Sequence, residues 1–112
     1  MKPVKTDQVG ALCVRRGEKG GYQVLLITSR DRGRWIIPKG WRAKRLKDHE
    51  AAVREAQEEA GVSGTVSTRP IGNYAYRKIS DGGARPLRVA VFLLQVRRER
   101  NDWKERGQRR RA

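Results

Sequence analysis

Apolar residues along this chain fall into short blocks separated by glycines and by clusters of arginine and lysine. The first block, Val9 to Val14, runs into Arg15, Arg16 and the turn-tolerant segment Gly17 to Gly21, and a second block, Tyr22 to Ile27, follows at once. Two β-prone runs joined by a glycine-rich link predict a hairpin. The Gly-Glu-Lys-Gly-Gly link lacks the Lys-Ser/Thr pair and following helix that a phosphate-binding P-loop requires, so it reads as a turn. From Thr28 to Lys47 the pattern is loop-like, interrupted by Trp35, Ile36 and Ile37 and then by Pro38 and Gly40, which discourage helix. Strong helix formers occupy Glu50 to Ala60 and stop at Gly61, with Asp48 and Glu50 near the positive end of the dipole. Residues three and four apart are neighbours on such a helix. Ala52, Val53, Ala56 and Ala60 therefore form a thin stripe suited to lying close against a sheet, while Glu55, Glu58 and Glu59 share another face. Thr65 to Ile79 and Leu87 to Arg98 flank Asp81, Gly82 and Gly83, which predicts a second hairpin. Val89 to Val96 is almost uninterrupted apolar sequence, the pattern of a strand covered on both faces.

Composition narrows the chemistry. A chain of 112 residues fits one domain, with residues 1–6 expected to be a flexible N-terminus and 99–112 a charged C-terminal segment anchored by Trp103. Lys and Arg number 27 against 12 Asp and Glu, a formal net charge of +15 that attracts polyanions. Charge selects a phosphate-rich class of partner and cannot select a reaction. Cys13 is the single cysteine and His49 the single histidine, so counting excludes disulfide frameworks, zinc fingers and a Cys/His catalytic pair. Any metal site must be built from oxygen. Cys13, inside an apolar run, reads as a small buried hydrophobe. Met1 to Gln8 is polar, without the apolar core of a signal peptide, and no apolar run approaches a bilayer span. The expectation is a soluble, cytoplasmic protein with no membrane partner.

Three carboxylates on one helical turn repel each other unless a cation sits among them. Mg²⁺, or Mn²⁺ in its place, takes oxygen ligands and commonly completes its shell with substrate phosphates, so an acidic turn beside a basic loop suits a phosphate-metal site. The plainer reading is a solvated acidic face offset by Arg54. The flanking residues favour the metal. Gly40, followed by Arg54-Glu55-Ala56-Gln57-Glu58-Glu59-Ala60-Gly61-Val62, resembles the Nudix box, G-x5-E-x7-R-E-U-x-E-E-x-G-U, where U is aliphatic, and the spacing from Gly40 to Arg54 matches. The resemblance implies that Glu55, Glu58 and Glu59 bind metal with the carbonyl of Gly40, that Glu58 or Glu59 acts as general base, and that Arg54 orients the carboxylates. One position departs: Leu46 stands where the family carries its first glutamate, the partner of the box arginine. A ladder Glu50-Arg54-Glu58, at spacings of four, is the expected local substitute.

The stretch Ser29 to Trp41 is similar to the subgroup that hydrolyses diphosphoinositol polyphosphates and diadenosine polyphosphates. That similarity makes Ser29, Arg30 and Arg34 candidate phosphate contacts, with Lys39 and Arg42 near the mouth, since a guanidinium holds phosphate oxygens bidentately. Lys44, Arg45 and Lys47 read as bystanders. Trp35, in an apolar trio, is expected in the core, and Trp41, among charges, is open to stacking. Tyr74 and Tyr76 must point the same way and are expected to face the core. The family fold is an α/β (α+β) mixed sheet between helices, but Glu99 to Ala112 supplies no second helix, so one sheet face is expected to lack its usual cover and to favour self-association. The expected function is Mg²⁺-dependent hydrolysis of phosphoanhydride bonds in a small polyphosphorylated substrate. One alternative is an RNA 5′-end pyrophosphohydrolase whose basic tail, Arg109 to Arg111, grips the backbone. A second is a non-enzymatic nucleic-acid-binding module, disfavoured because the positive charge surrounds an acidic turn.

Overall fold

The computed structural model describes residues 5–30 and 33–112, with only the backbone described at Ser80. Residues 1–4 of the N-terminus expected to be flexible, and Asp31 and Arg32 of the basic loop, lie outside the described residues. The elements are β1 (Gln8–Arg16), β2 (Tyr22–Val24), β3 (Ile27–Thr28), β4 (Trp35–Ile36), β5 (Lys39–Trp41), α1 (Asp48–Ala60), β6 (Val62–Val66), β7 (Gly72–Ser80) and β8 (Gly83–Glu99). The long strand β8 organises a six-stranded mixed sheet: β1 lies parallel to it, while β6 and β7 pair with it antiparallel. Strand β1 in turn carries β2 and β5 antiparallel along different parts of its length.

Both predicted hairpins form. Val14 pairs with Val24 and Arg16 with Tyr22, across a link closed by Gly17 N–H to the Gly21 carbonyl, while Ser80 pairs with Gly83 at the tip of the second hairpin. Two expected runs are subdivided. The block Tyr22 to Ile27 leaves β1 after Leu25, whose N–H still meets the Cys13 carbonyl at 2.9 Å, because Leu26 exchanges both of its backbone hydrogen bonds with Ala112 at 3.0 Å. The run Thr65 to Ile79 breaks at Ser67 to Ile71, which includes Pro70, and each half pairs separately with β8. The expected loop Thr28 to Lys47 also contains order: β4 closes on β3, and β5 docks on β1 with Gly40 opposite Val9.

Helix α1 starts where the Lys47 N–H donates to the Glu50 carboxylate at 2.8 Å, the half of a capping box that a lysine N-cap, lacking an acceptor, can join. It ends at Gly61, whose φ of 70° is left-handed and whose N–H returns to the Gln57 carbonyl. The small-residue stripe is fully buried at Ala52, Ala56 and Ala60, joined by Ala51, with Val53 half-buried at its margin. It packs on Val9, Ala11 and Cys13 of β1 and Ala90, Phe92 and Leu94 of β8, which alternation places on one sheet face. The opposite face is only partly covered. Val89 and Leu87 are buried, but Leu12, Val14, Val91 and Leu93 are half-exposed, so the strand expected to be covered on both faces is so along only part of its length. Among the described residues there is one helix, and it covers one face.

The C-terminal segment, though not helical, is packed down. Arg100 N–H meets the Gly61 carbonyl, Glu105 N–H meets the Glu58 carbonyl, and Trp103 stacks against Gly61 so closely that a Cβ there would lie 2.8 Å from its ring. Residues 109–112 then run antiparallel beside β3, with Thr28 and Arg110 joined twice. No helix among the described residues is long and apolar enough to cross a membrane.

Candidate metal and phosphate site

Strand β5 delivers Gly40 to the flank of α1, where the helix period places Glu55 and Glu59 one turn apart. The Glu55 carboxylate lies directly against Gly40: a Cβ on that glycine would sit 2.5 Å from each of its oxygens. Only the absence of a side chain lets the two elements meet this way. Glu59 is nearly fully buried; its Oε1 accepts from the Lys39 N–H at 3.1 Å and its Oε2 lies 3.7 Å from Nη2 of Arg109. Burial pushes its carboxyl up to about 8, Arg109 opposes that, the adjacent Glu55 carboxyl adds to the rise and the Lys39 N–H lowers it.

Glu58, expected in the same cluster, turns elsewhere. Its carboxylate is part-exposed and 3.8 Å from Lys104 Nζ. Among the described residues no three of His, Cys, Asp or Glu surround one point, so the fold converges two of the three predicted carboxylates on Gly40 and leaves the third beside a lysine. The expected Glu50-Arg54-Glu58 ladder is not formed. Glu50 is engaged in capping the helix, Glu58 faces Lys104, and Arg54 is exposed with no ion pair among the described residues. Leu46, in place of the family's first glutamate, packs against the hydrophobic core.

The phosphate candidates separate into two groups. Lys39 is continuous with Gly40; its Nζ donates to the Tyr76 hydroxyl at 3.1 Å and lies 4.4 Å from that ring's centroid, and the hydroxyl donates on to Gln8 at 2.7 Å. Arg42 pairs with Asp48 at the helix start at 3.0 Å. Ser29 and Arg34 close the β3–β4 connection: the Arg34 N–H donates to Ser29 Oγ at 3.0 Å and the Ser29 N–H to the Arg34 carbonyl at 2.7 Å. This leaves the Arg34 side chain exposed, while Arg30 reaches Gln108 at 3.3 Å.

The aromatic expectations need correction. Trp35 is 47% exposed, with the Arg110 guanidinium 5.6 Å from its ring, because β4 is an edge of a two-stranded sheet and not a core strand. Trp41 is 46% exposed and carries Lys78 and Arg85 at 5.2 and 5.9 Å, cations of the β7–β8 hairpin that the sequence did not single out. Tyr74 and Tyr76 do share a side, with ring centroids 6.3 Å apart, but both are half-buried and Tyr76 serves a polar chain. Burial pushes the Tyr74 hydroxyl up to about 12, with Tyr76 and Glu59 adding to the rise. Nor is Arg109 to Arg111 a free basic grip. Arg109 is buried against Glu59, and Arg111 donates to the carbonyls of Ala60 and Arg100 while lying 4.2 Å from the Trp103 ring. Arg109 and its partner Glu105 are the site residues that sequence reasoning missed. Their charge run resembles a solvated tail, and no local spacing relates them to a helix some 50 positions earlier.

The family model described as the NUDIX domain matches residues 6–109. The Arabidopsis thaliana protein "Nudix hydrolase 12, mitochondrial" is 36% identical over 96 residues, covering 80% of this chain and 46% of the relative. The Bos taurus "Diphosphoinositol polyphosphate phosphohydrolase 3-beta" is 34% identical over 98 residues, covering 88% of this chain and 56% of the relative. The chain thus spans about half the length of the curated relatives it matches. Among solved structures, a Caenorhabditis elegans Ap4A hydrolase superposes with a TM-score of 0.58 at 18% identity, covering 96% of this chain and 80% of that one. A Nitrosomonas europaea NUDIX hydrolase superposes with a TM-score of 0.66 at 24% identity, covering 96% and 71%. These likenesses establish a shared fold. With the family match running through nearly the whole sequence, the chain belongs to the Nudix family.

Proposed function

We propose that this chain is a Mg²⁺-dependent hydrolase of phosphoanhydride bonds, acting on a diphosphoinositol polyphosphate or a nucleoside-diphosphate-linked substrate such as a diadenosine polyphosphate. The observation that carries the reading is the convergence of Glu55 and Glu59 on Gly40 beside Lys39. The donor set fits the metal: two buried-edge carboxylates and a backbone carbonyl are all hard oxygen, and Mg²⁺ is typically held by one or two carboxylates together with substrate phosphates. Mn²⁺ fits the same donors. When bound, the ion supplies Lewis acidity toward phosphate oxygens and water. Glu55, Glu59 and the Gly40 carbonyl would hold it, with Glu58 on the adjoining edge of the helix. Being more exposed and less constrained than Glu59, Glu58 accepts the proton of the attacking water. Lys39 and Arg42 would orient substrate phosphates on the Gly40 side, and Ser29, Arg30 and Arg34 would meet phosphates farther along the substrate. Among the described residues Arg54 has no ion-pair partner through which to orient the carboxylates. The names of relatives that act on diphosphoinositol polyphosphates support the substrate class. A water-soluble substrate of this kind suits the cytoplasmic location expected from the sequence.

The test is a panel of a diadenosine polyphosphate, a diphosphoinositol polyphosphate, a nucleoside triphosphate and 5′-triphosphorylated RNA, each incubated with Mg²⁺ and either the native chain or Glu59→Gln. Cleavage of one of the first two, abolished in Glu59→Gln, is the expected result. Preference for the RNA selects the 5′-end alternative, and tight RNA binding without cleavage would replace the enzyme by a binding module.

A further inference from the structure

A buried ion pair removed from the box in sequence stands beside Glu59. Leu46 offers no carboxylate, and Arg54 stands exposed without an ion pair among the described residues. Arg109, by contrast, has a side chain only 8% exposed, and its guanidinium is held on three sides by three different parts of the fold. Nε donates to Glu105 at 2.8 Å, Nη1 donates to the Thr28 carbonyl at 3.1 Å, and Nη2 lies 3.7 Å from Glu59 Oε2. The planar fork of arginine suits such three-way anchoring, and a lysine ammonium on its single flexible stem does not.

The anchoring is set by backbone. The Thr28 N–H donates to the Arg110 carbonyl at 3.0 Å, the Arg110 N–H donates to Thr28 Oγ1 at 2.8 Å, and the Glu105 N–H meets the Glu58 carbonyl at 3.0 Å, so both members of the pair are fixed to β3 and α1 before their own side chains are considered. Glu59 is then clamped between two fixed groups, the Lys39 N–H on one oxygen and Arg109 on the other. The second contact is longer than a hydrogen bond, so it restrains the carboxylate while leaving lone pairs of that oxygen for another ligand. We infer that Arg109, held in place by Glu105, is the positioning residue that orients Glu59 for metal, replacing the glutamate–arginine pair that Leu46 removes from the box.

This inference rests on the metal-site reading above, and its test separates the two. Mn²⁺ uptake by the full chain is titrated by the loss of the free-ion electron paramagnetic resonance signal, with thermal unfolding of each variant run alongside. Partners that orient metal ligands are typically worth roughly 10- to 100-fold in affinity, and Arg109→Gln is expected to weaken Mn²⁺ binding by that factor. Glu105→Gln, which frees one side of the guanidinium, weakens it less and in the same direction. Arg109→Lys does not restore wild-type affinity, because one ammonium cannot span all three acceptors. Arg15→Gln, which removes an exposed pair with Glu99 far from the site, leaves uptake unchanged. Wild-type affinity in Arg109→Gln, with stability lowered or not, would overturn the inference and leave the site reading standing; full affinity in Arg109→Lys would also overturn it. If Arg109→Gln does not fold, unchanged affinity in a folded Glu105→Gln is the overturning result. No uptake by the native chain removes the metal site and this role together.

Discussion

Substituting Gly40 by alanine separates the proposed metal site from the stability of the fold. Gly40 does not have a positive φ, so an alanine there meets no backbone penalty, and loss of glycine's freedom in the unfolded chain is worth about 0.4 to 1 kcal/mol in favour of folding. Against this, the new methyl carbon would stand 2.5 Å from both oxygens of Glu55. Comfortable contact needs roughly 3.5 Å, so the carboxylate must retreat by about 1 Å or swing away. It is the end of a flexible chain, and an off-rotamer adjustment costs on the order of 0.5 to 1.5 kcal/mol. The two effects nearly cancel, and the melting temperature should move by no more than about 5 °C. Function should not be spared, since a displacement of about 1 Å at a catalytic group can cost roughly 100-fold in rate. The measurement is a thermal melt paired with Mn²⁺ titration and Mg²⁺-supported turnover of the preferred panel substrate. Gly64→Ala supplies the contrast, because its Cβ would strike the Gln95 carbonyl and, at 2.9 Å, the Arg97 amide, main-chain atoms that cannot rotate away. That variant should lose about 3 kcal/mol of stability, at the upper end of overpacking costs, while its folded fraction keeps metal affinity. Native uptake and turnover in Gly40→Ala would refute the reasoning, as would a collapse in its stability matching the collapse in activity.

Two further outcomes follow from burial. Burial pushes the Cys13 thiol from 9.0 up to about 12, so the native chain holds its proton where the unfolded chain has released it. The associated stability is complete below pH 9.0 and is lost as pH climbs from there toward 12, at up to about 1.4 kcal/mol per pH unit; chemical unfolding between pH 8 and 11 should show this fall, and Cys13→Ala should remove its share. Rapid alkylation of the native thiol at pH 8 would contradict the burial argument. On the half-exposed sheet face, Leu12, Val14, Val91 and Leu93 present apolar surface that favours pairing between copies, so sedimentation should show concentration-dependent self-association. A monodisperse monomer across the accessible range would count against it.

Local pattern carried much of this fold. The hairpins followed from β-prone runs around glycine, the helix from its formers and its terminal glycine, and the buried alanine stripe from the 3.6-residue period. Spacing of four also placed Glu55 and Glu59 on one turn, and the resemblance to the Nudix box implied that Gly40 would meet them. Where expectation failed, a distant segment had intervened. The strand Tyr22 to Ile27 broke because Leu26 pairs with Ala112, and Trp35 is exposed because its strand pairs at an edge outside the main sheet. The helix ladder failed because Glu50 was drawn to the N-terminus of its own helix and Glu58 to Lys104.

The same division holds at the site. Residue identity and the helical period, which no distant contact alters, settled which carboxylates exist, their common helical origin and the lack of a side chain at Gly40. Tertiary structure decided which of the three carboxylates converge, and that a buried arginine from the C-terminal segment would stand beside Glu59. Such a contact depends on two backbone segments pairing across more than eighty positions, the Thr28 N–H with the Arg110 carbonyl, and no short-range periodicity encodes it.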